Sequence, residues 1–448
     1  MLRFFLFASC PRITSIRYVL LRDDINVVWR ARIKGFLACC INIRFRTIMF
    51  FIIVFVSVVL SIFICVRFSR KSRIVFTLEK IQQLLNPSPG MFKECALRSR
   101  ANPNVRLIRI LGITNTFVSD DPEVHRQFIA KTTSFLPRSY RDWLCLQHTA
   151  RSTVERALLD AQDKASVADG SPIDFAKFHR IITFYIISIA LLGADAAAID
   201  YDDVQFVTDA ISELWALSKT DAMPPPGLLN QVNNHLNKWF PHVGHDDHLL
   251  DYIIPTYETM WRVVAIAVAR AADIDDRATF RSFLDHPTND QFCNFPGDRP
   301  SVEAYVNEIL RVHPPTKHIA RAIPPSFPHL LQSFIESIPT GLSEWLCNSL
   351  THTVTADINT LHKNPSIWCD DALDFDPMRF HPTRFDYKAK DVAPKMAAIM
   401  AAAVMERVDS MNDEVPLTIV RGDKIGGRQG WDGWFISLHG ESSGKGTC

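Results

Sequence analysis

The sequence reads as a mainly α chain with a small β-sheet portion, one large domain behind a single transmembrane helix. Three observations carry that reading. Residues 48–66, IMFFIIVFVSVVLSIFICV, form an uncharged apolar run. Residues 175–192 and 253–272 are long apolar stretches of helical character. Residues 306–321, VNEILRVHPPTKHIAR, place Glu308 and Arg311 three apart, on one face of a helix. Pro314-Pro315 then stops that helix, because neither proline has a backbone N–H to donate. On spacing alone, Glu308 and Arg311 also fit an ordinary surface ion pair.

The bulk numbers exclude several classes. The chain has 448 residues, 47% hydrophobic and 22% charged, with a formal net charge of +1. Nothing in that balance suggests disorder, a nucleic-acid binder or a protein of acidic substrates. Ten cysteines lie scattered without a CxxC pair, and Cys39 and Cys40 are adjacent. That usage fits a reducing compartment better than a disulfide framework.

Charge is concentrated at the start. Residues 1–80 carry 14 Lys or Arg against three acids, Asp23, Asp24 and Glu79. The run at 48–66 sits inside this basic region, with only Ser57 and Ser61 as polar positions. Nineteen residues at a rise of about 1.5 Å nearly cross a hydrocarbon core about 30 Å thick, so the run is expected to be a membrane anchor. A buried core helix would show a polar face, and a signal peptide would lie nearer the start. Five basic residues flank the run on each side within the neighbouring segments, so charge does not orient it. Residues 1–47 are a basic extension of unknown role. The chain after residue 66 is long enough for one large core.

Along that domain, residues 105–111 read as a strand, Gly112 as a turn and residues 115–118 as a second short strand. Asp121-Pro122 then opens a helix, with Asp at the N-cap and Pro at the first helical position. Residues 136–158 read as a helix carrying Trp143, His148 and Arg151. Residues 241–248, PHVGHDDH, hold His242, His245 and His248 at i, i+3 and i+6. On a helix, steps of about 300° swing the third imidazole away from the first, so the segment reads as a solvated loop rather than a zinc site. In residues 253–272, Pro255 precedes the acid–alcohol pair Glu258-Thr259, and Arg262 stands one turn beyond Glu258, where an i,i+4 ion pair is the plain alternative. Residues 322–353, rich in proline at the start, are an atypical insertion, after which residues 354–358 resume as a strand. Residues 377–380, PMRF, are echoed by residues 382–385, PTRF, and residues 392–404, VAPKMAAIMAAAV, read as a helix.

Taken together, these stretches resemble the cytochrome P-450 superfamily, haem-thiolate monooxygenases, in the style of filamentous-fungal members. NEILRVHPPTKHIAR resembles the family's K-helix and the turn after it, and residues 253–272 its long I-helix over the haem. DPEVHRQFI resembles the B-helix, and residues 392–404 the L-helix. The resemblance implies a cytochrome P-450 fold for residues 67–448. It also implies a buried network of Glu308, Arg311 and Arg379, with Arg384 in reserve. Glu258 and Thr259 are implied as the catalytic proton relay for oxygen activation. Trp143, His148, Arg151 and Arg321 are the implied cofactor-binding residues around the haem propionates.

The resemblance further implies haem as cofactor, NADPH only through a reductase partner, and a lipophilic small-molecule substrate, with roles in secondary metabolism. It implies single-pass attachment to membrane lipid at the endoplasmic reticulum with the main domain cytosolic. No nucleic-acid partner is implied.

One departure is decisive. The family's Phe-x-x-Gly loop, with the Cys that binds haem iron, is missing near residues 387–391, and no cysteine lies between Cys369 and Cys448. No metal ligand is therefore assigned, and two expectations stand. One is a monooxygenase by lineage; the other is a catalytically dead, non-enzymatic remnant of the fold with a binding or structural role. Cys369 and His381 are the nearest substitutes as ligands.

Overall fold

The computed structural model describes residues 49–50, 52–54, 57, 61, 73–86, 93–167, 172–242, 248–271, 273–324, 337–384, 392–408 and 417–438. The chain divides into two units, Met1–Ser69 and Arg70–Cys448. In the first, the described residues all fall within the apolar run and are helical. The extension 1–47 and most of the expected anchor lie outside the described residues. Among the described residues, no helix is long and apolar enough to cross a membrane.

The second unit opens with β1 (Arg73–Val75), α1 (Leu78–Leu85) and α2 (Lys93–Ala101). A 3-10 turn, Asn102–Asn104, leads into α3 (Arg106–Leu111), which corrects the strand expected there. Leu107, Ile110 and Leu111 are buried while Ile108 is exposed, a spacing of three and four rather than two. The branched apolar residues of this stretch satisfy β-propensity, but packing against α7 (Tyr201–Leu217) selects the helix. Gly112 closes α3 at φ 63°, a left-handed cap that favours glycine. Residues 115–118 form a turn rather than a second strand, with the Val118 N–H donating to the Asn115 carbonyl at 3.0 Å.

α4 (Pro122–Phe135) begins where the sequence predicts, with the Asp121 carboxylate accepting from the Glu123 N–H at 2.8 Å. α5 (Tyr140–Val167), β2 (Ile173–Asp174) and α6 (Phe175–Ile186) follow, and α6 runs into a π turn at Ile187–Leu191. After α7 come α8 (Leu228–Trp239), α9 (Leu250–Arg270), α10 (Ile274–Asp285), α11 (Asn289–Cys293) and α12 (Val302–Val312). The rest of the chain carries β3 (His318–Ile323), α13 (Thr340–Leu350), β4 (His352–Asp357), α14 (Ile358–His362) and α15 (Pro365–Trp368). A 3-10 turn at Pro377–Phe380, α16 (Val392–Met405), β5 (Leu417–Val420) and β6 (Phe435–Leu438) complete it.

Two small sheets edge this helical body. The first has the order β1-β4-β3, with β1 parallel and β3 antiparallel to β4 and Ala320 opposite Thr355. The second is antiparallel, in the order β2-β6-β5. β3 and β4 pair in register although the atypical insertion separates them; of that insertion, residues 325–336 lie outside the described residues and α13 lies within. In the histidine-rich loop, residues 243–247 lie outside the described residues, and His242 and His248 are exposed.

The main core sits where α9 and α16 cross, with α5, α10 and α12 against α16. α16 is buried from Pro394 to Met405, and its alanines let neighbouring helices approach closely. Trp261, Val264 and Ala265 of α9 are fully buried in the same cluster. Each large apolar side chain so buried is worth about 1.5–3 kcal/mol.

Candidate functional site

α9 forms one wall of a cavity of about 810 Å³. The segment 312–320 after α12, α3 with the turn after it, the end of α7 and the glycine-rich turn between β5 and β6 supply the others. Its size falls within the range of small-molecule sites, about 300–1,000 Å³.

Pro255 shapes the α9 wall. Having no N–H, it leaves the Asp251 carbonyl without its helical partner. Asn115 Nδ2 donates to that carbonyl at 2.7 Å. The Asp251 carboxylate in turn accepts from the Thr114 N–H at 2.8 Å and the Thr114 hydroxyl at 2.6 Å. The turn after α3 is thereby stitched to α9, and Asn115 and Pro255 both line the cavity.

One turn further on, Glu258 and Thr259 face the same space. Glu258 is 3% exposed and Thr259 half-buried. The Glu258 carboxylate pairs with the Arg428 guanidinium, and not with Arg262 as helical spacing allowed. Arg262 instead donates from Nε to the Glu258 backbone carbonyl at 2.9 Å and from Nη1 to the Pro315 carbonyl at 2.6 Å. Burial raises the Glu258 pKa above the usual carboxylate range, against the pull of Arg428. Burial, with Arg428 beside it, lowers Arg262 to about 10.

Behind this wall, Glu308 and Arg311 are fully buried and paired through two bonds of 2.7 Å. Arg311 also donates to the carbonyls of His362 at 2.9 Å, Ala372 at 2.6 Å and Asp374 at 2.9 Å. Arg379 Nε lies 3.8 Å from Glu308 Oε1, and its Nη1 donates to Asp371 Oδ1 at 2.9 Å. The Asp376 N–H donates to Glu308 at 2.9 Å. Two charges are thus desolvated together with their hydrogen bonds supplied, and they fix the loop 362–379. Arg384 pairs with Asp376 at 3.0 Å and is exposed.

The structure does not bring Trp143, His148, Arg151 or Arg321 to the cavity. Trp143 is buried with the Lys395 ammonium 4.3 Å from its ring centroid. Arg151 is held by Glu406 and Asp285, each at 2.6 Å. His148 is exposed. The cavity lining runs along β3 from His318 to Ala320 and stops before Arg321.

A haem held by a thiolate needs a cysteine on this wall, and among the described residues none lines the cavity. Cys95, Cys145, Cys293 and Cys369 are exposed and Cys347 is half-buried. Of the histidines on the wall, His313 meets Arg270 Nη2 through Nε2 at 2.9 Å, and burial lowers it to about 4. His318 is exposed. His381 packs on Phe295 at 4.8 Å, away from the cavity. Residues 385–391, around which the sequence reading expects the ligand loop to be missing, lie outside the described residues. The described side chains on this wall do not fit a thiolate-ligated haem.

Sequence reasoning missed Arg106, Trp215, Lys219 and Arg428, all on the cavity lining. The glycines around Arg428 were the available signal: a Cβ on Gly426 would lie 2.7 Å from the Gly430 carbonyl oxygen, so the turn closes only with glycine there.

No family model matches the sequence, and no curated protein matches it. Solved structures do. A cyanobacterial CYP120A1 bound to retinoic acid is 14% identical, with 82% of this chain and 88% of that chain covered and a TM-score of 0.50. CYP175A1 from Thermus thermophillus is also 14% identical, with the same coverage of 82% and 88% and a TM-score of 0.50. A variant of cytochrome P-450SP alpha is 12% identical, with 83% and 91% covered and a TM-score of 0.50. At these identities the likeness is one of fold, and the fold is that of the cytochrome P-450 enzymes.

Proposed function

We infer that this chain is, by lineage, a membrane-anchored cytochrome P-450-type monooxygenase of filamentous-fungal type. In that reading it inserts one oxygen atom from O2 into a lipophilic small molecule, with electrons from an NADPH-dependent reductase. The apolar run at 48–66 holds it on the endoplasmic reticulum with the main domain cytosolic, in secondary metabolism. The observation that carries the reading is the pair Glu258 and Thr259 on the wall of a large cavity, in a chain of this fold. Burial keeps a proton on the Glu258 carboxyl to higher pH than an exposed one, and the Thr259 hydroxyl stands beside it at the cavity surface. A carboxyl whose pKa is raised by burial, next to a hydroxyl on the cavity surface, is equipment for proton transfer.

That no cysteine lines the cavity among the described residues favours a second reading, a binding protein that keeps the fold and has lost the thiolate. The ferrous–CO spectrum of full-length protein supplied with haem separates the two. The lineage reading expects no thiolate-type Soret band from the chain as it stands. It expects the band to return when a Phe-x-x-Gly-x-x-x-x-Cys loop is inserted between Tyr387 and Val392. A repaired chain that still lacks the band leaves the binding-protein reading. A thiolate band from the unrepaired chain, lost on Cys369→Ala, overturns the assignment of the missing ligand.

A further inference from the structure

The cavity is lopsided in charge. Arg106, Lys219, Arg262 and Arg428 line it, and among the described residues Glu258 is the single carboxylate on the lining. Arg262 is consumed by the two carbonyls that it bridges. No carboxylate pairs with Arg106 or Lys219 among the described residues, and Arg428, paired with Glu258 through Nη2, keeps its other terminal nitrogen free for a ligand. Arg106 and Arg428 both pack on Trp215, with guanidinium carbons 5.2 and 4.7 Å from its ring centroid. Arg106 donates to the Ser218 hydroxyl, which carries no charge to offset it. Arg428 Nη1 is buried with no hydrogen-bond partner among the described residues. Lys219 stands exposed at the rim. Partial burial lowers its pKa, and so do the fields of Arg428, Arg106 and Arg262.

Holding like charges together around one indole is unfavourable unless something answers them, because each raises the potential felt by the others. Lys317, Lys363, His313 and His318 also belong to the lining, and apolar side chains share it with them. Ile113, Ile254, Ile266, Pro314 and Ile425 present hydrocarbon to the same space.

We propose that this cavity takes an amphiphilic organic carboxylate, its headgroup held by Arg106, Lys219 and Arg428 and its hydrocarbon laid on the apolar lining. Planar guanidinium forks bind carboxylates through two parallel bonds, and a cation resting on an aromatic face is already oriented for it. Glu258 tempers the cluster and limits it to a monoanion, since a headgroup of higher charge would meet the carboxylate as well. The proposal deepens the functional reading by naming a class of substrate, and it rests on that reading only in taking this cavity as the ligand site. Binding requires neither haem nor turnover, so a missing thiolate band leaves it intact, and its failure leaves the lineage reading intact.

The test uses full-length protein in lipid nanodiscs, with equilibrium dialysis of radiolabelled octanoate and of octan-1-ol as the uncharged isostere, and empty nanodiscs subtracted. Octanoate is expected to bind at least about tenfold more tightly than octanol, and raised salt to narrow that gap. Lys219→Gln strands no partner, and it should weaken octanoate about three- to tenfold while leaving octanol unchanged. Arg106→Gln, measured in parallel, should do the same. Equal binding of acid and alcohol overturns the proposal, as does octanoate binding that both variants leave undiminished. Displacement of octanoate by millimolar inorganic phosphate also overturns it, since the site would then read charge without hydrocarbon.

Discussion

Asn115 donates its side-chain amide to the Asp251 carbonyl at 2.7 Å, and so satisfies the one acceptor that Pro255 leaves open in α9. A helix interior that contains proline carries an unpaired carbonyl, and leaving it buried costs about 1–3 kcal/mol. Here the missing bond is supplied by a side chain from the turn after α3. The break in the helix therefore becomes the seam between two cavity walls.

The seam is testable by a double-mutant cycle. Asn115→Ala should destabilise the protein by about 1–3 kcal/mol in denaturant unfolding. Pro255→Ala restores a backbone donor for the Asp251 carbonyl, so in that background Asn115→Ala should cost clearly less. Some cost remains, because Asn115 Oδ1 also accepts from the Phe117 N–H at 2.9 Å. Equal costs in the two backgrounds would show that proline and amide are independent.

Removing Glu308 leaves the fully buried Arg311 guanidinium without its carboxylate. Glu308→Ala should therefore cost about 3–5 kcal/mol, enough to abolish soluble expression of a marginally stable domain. Arg384→Ala removes a partner from an exposed pair with Asp376 and should cost less than about 1 kcal/mol. Thermal melts of the two variants side by side decide it. A shift of only a degree or two for Glu308→Ala would contradict its buried role.

Acid should destabilise the fold through its buried histidines. His179 is fully buried; burial lowers its pKa to about 4, against the bond from its ring to the Phe175 carbonyl. The unfolded chain then binds the proton that the folded one refuses, so stability falls as pH drops from about 6.5 toward 4. A shift of this size corresponds to roughly 3 kcal/mol. Glu258 works in the opposite sense, since its raised carboxyl pKa adds stability as pH falls toward the ordinary carboxylate range. Comparing wild type with His179→Leu isolates the histidine: the variant's midpoint should depend less steeply on pH across that window. Parallel profiles would exclude the linkage.

Membrane attachment is expected to depend on residues 48–66. Full-length protein should stay with membranes through an alkaline carbonate wash, and a chain beginning at Arg67 should be released more easily. Recovery of the full-length protein in the soluble fraction would remove the anchor from the reading. Residual binding of the shortened chain is compatible with it, because apolar surface loops also touch lipid.

What the sequence determined by itself were the features written in local chemistry. Three-residue spacing put Glu308 beside Arg311, Asp121-Pro122 marked the start of α4, and a long, mostly apolar stretch marked α9. Each depends on residues within a turn or two, so periodicity and capping suffice to read it. The same logic failed at 105–111, where branched residues fit a strand and only packing against α7 made them helical. Tertiary structure alone decided the partners. Glu258 pairs with Arg428 rather than with its helical neighbour Arg262, and Arg151 turns to Glu406 and Asp285. Which charges meet, and which are left facing a cavity, is fixed by where distant segments close on one another, and no local pattern encodes that distance.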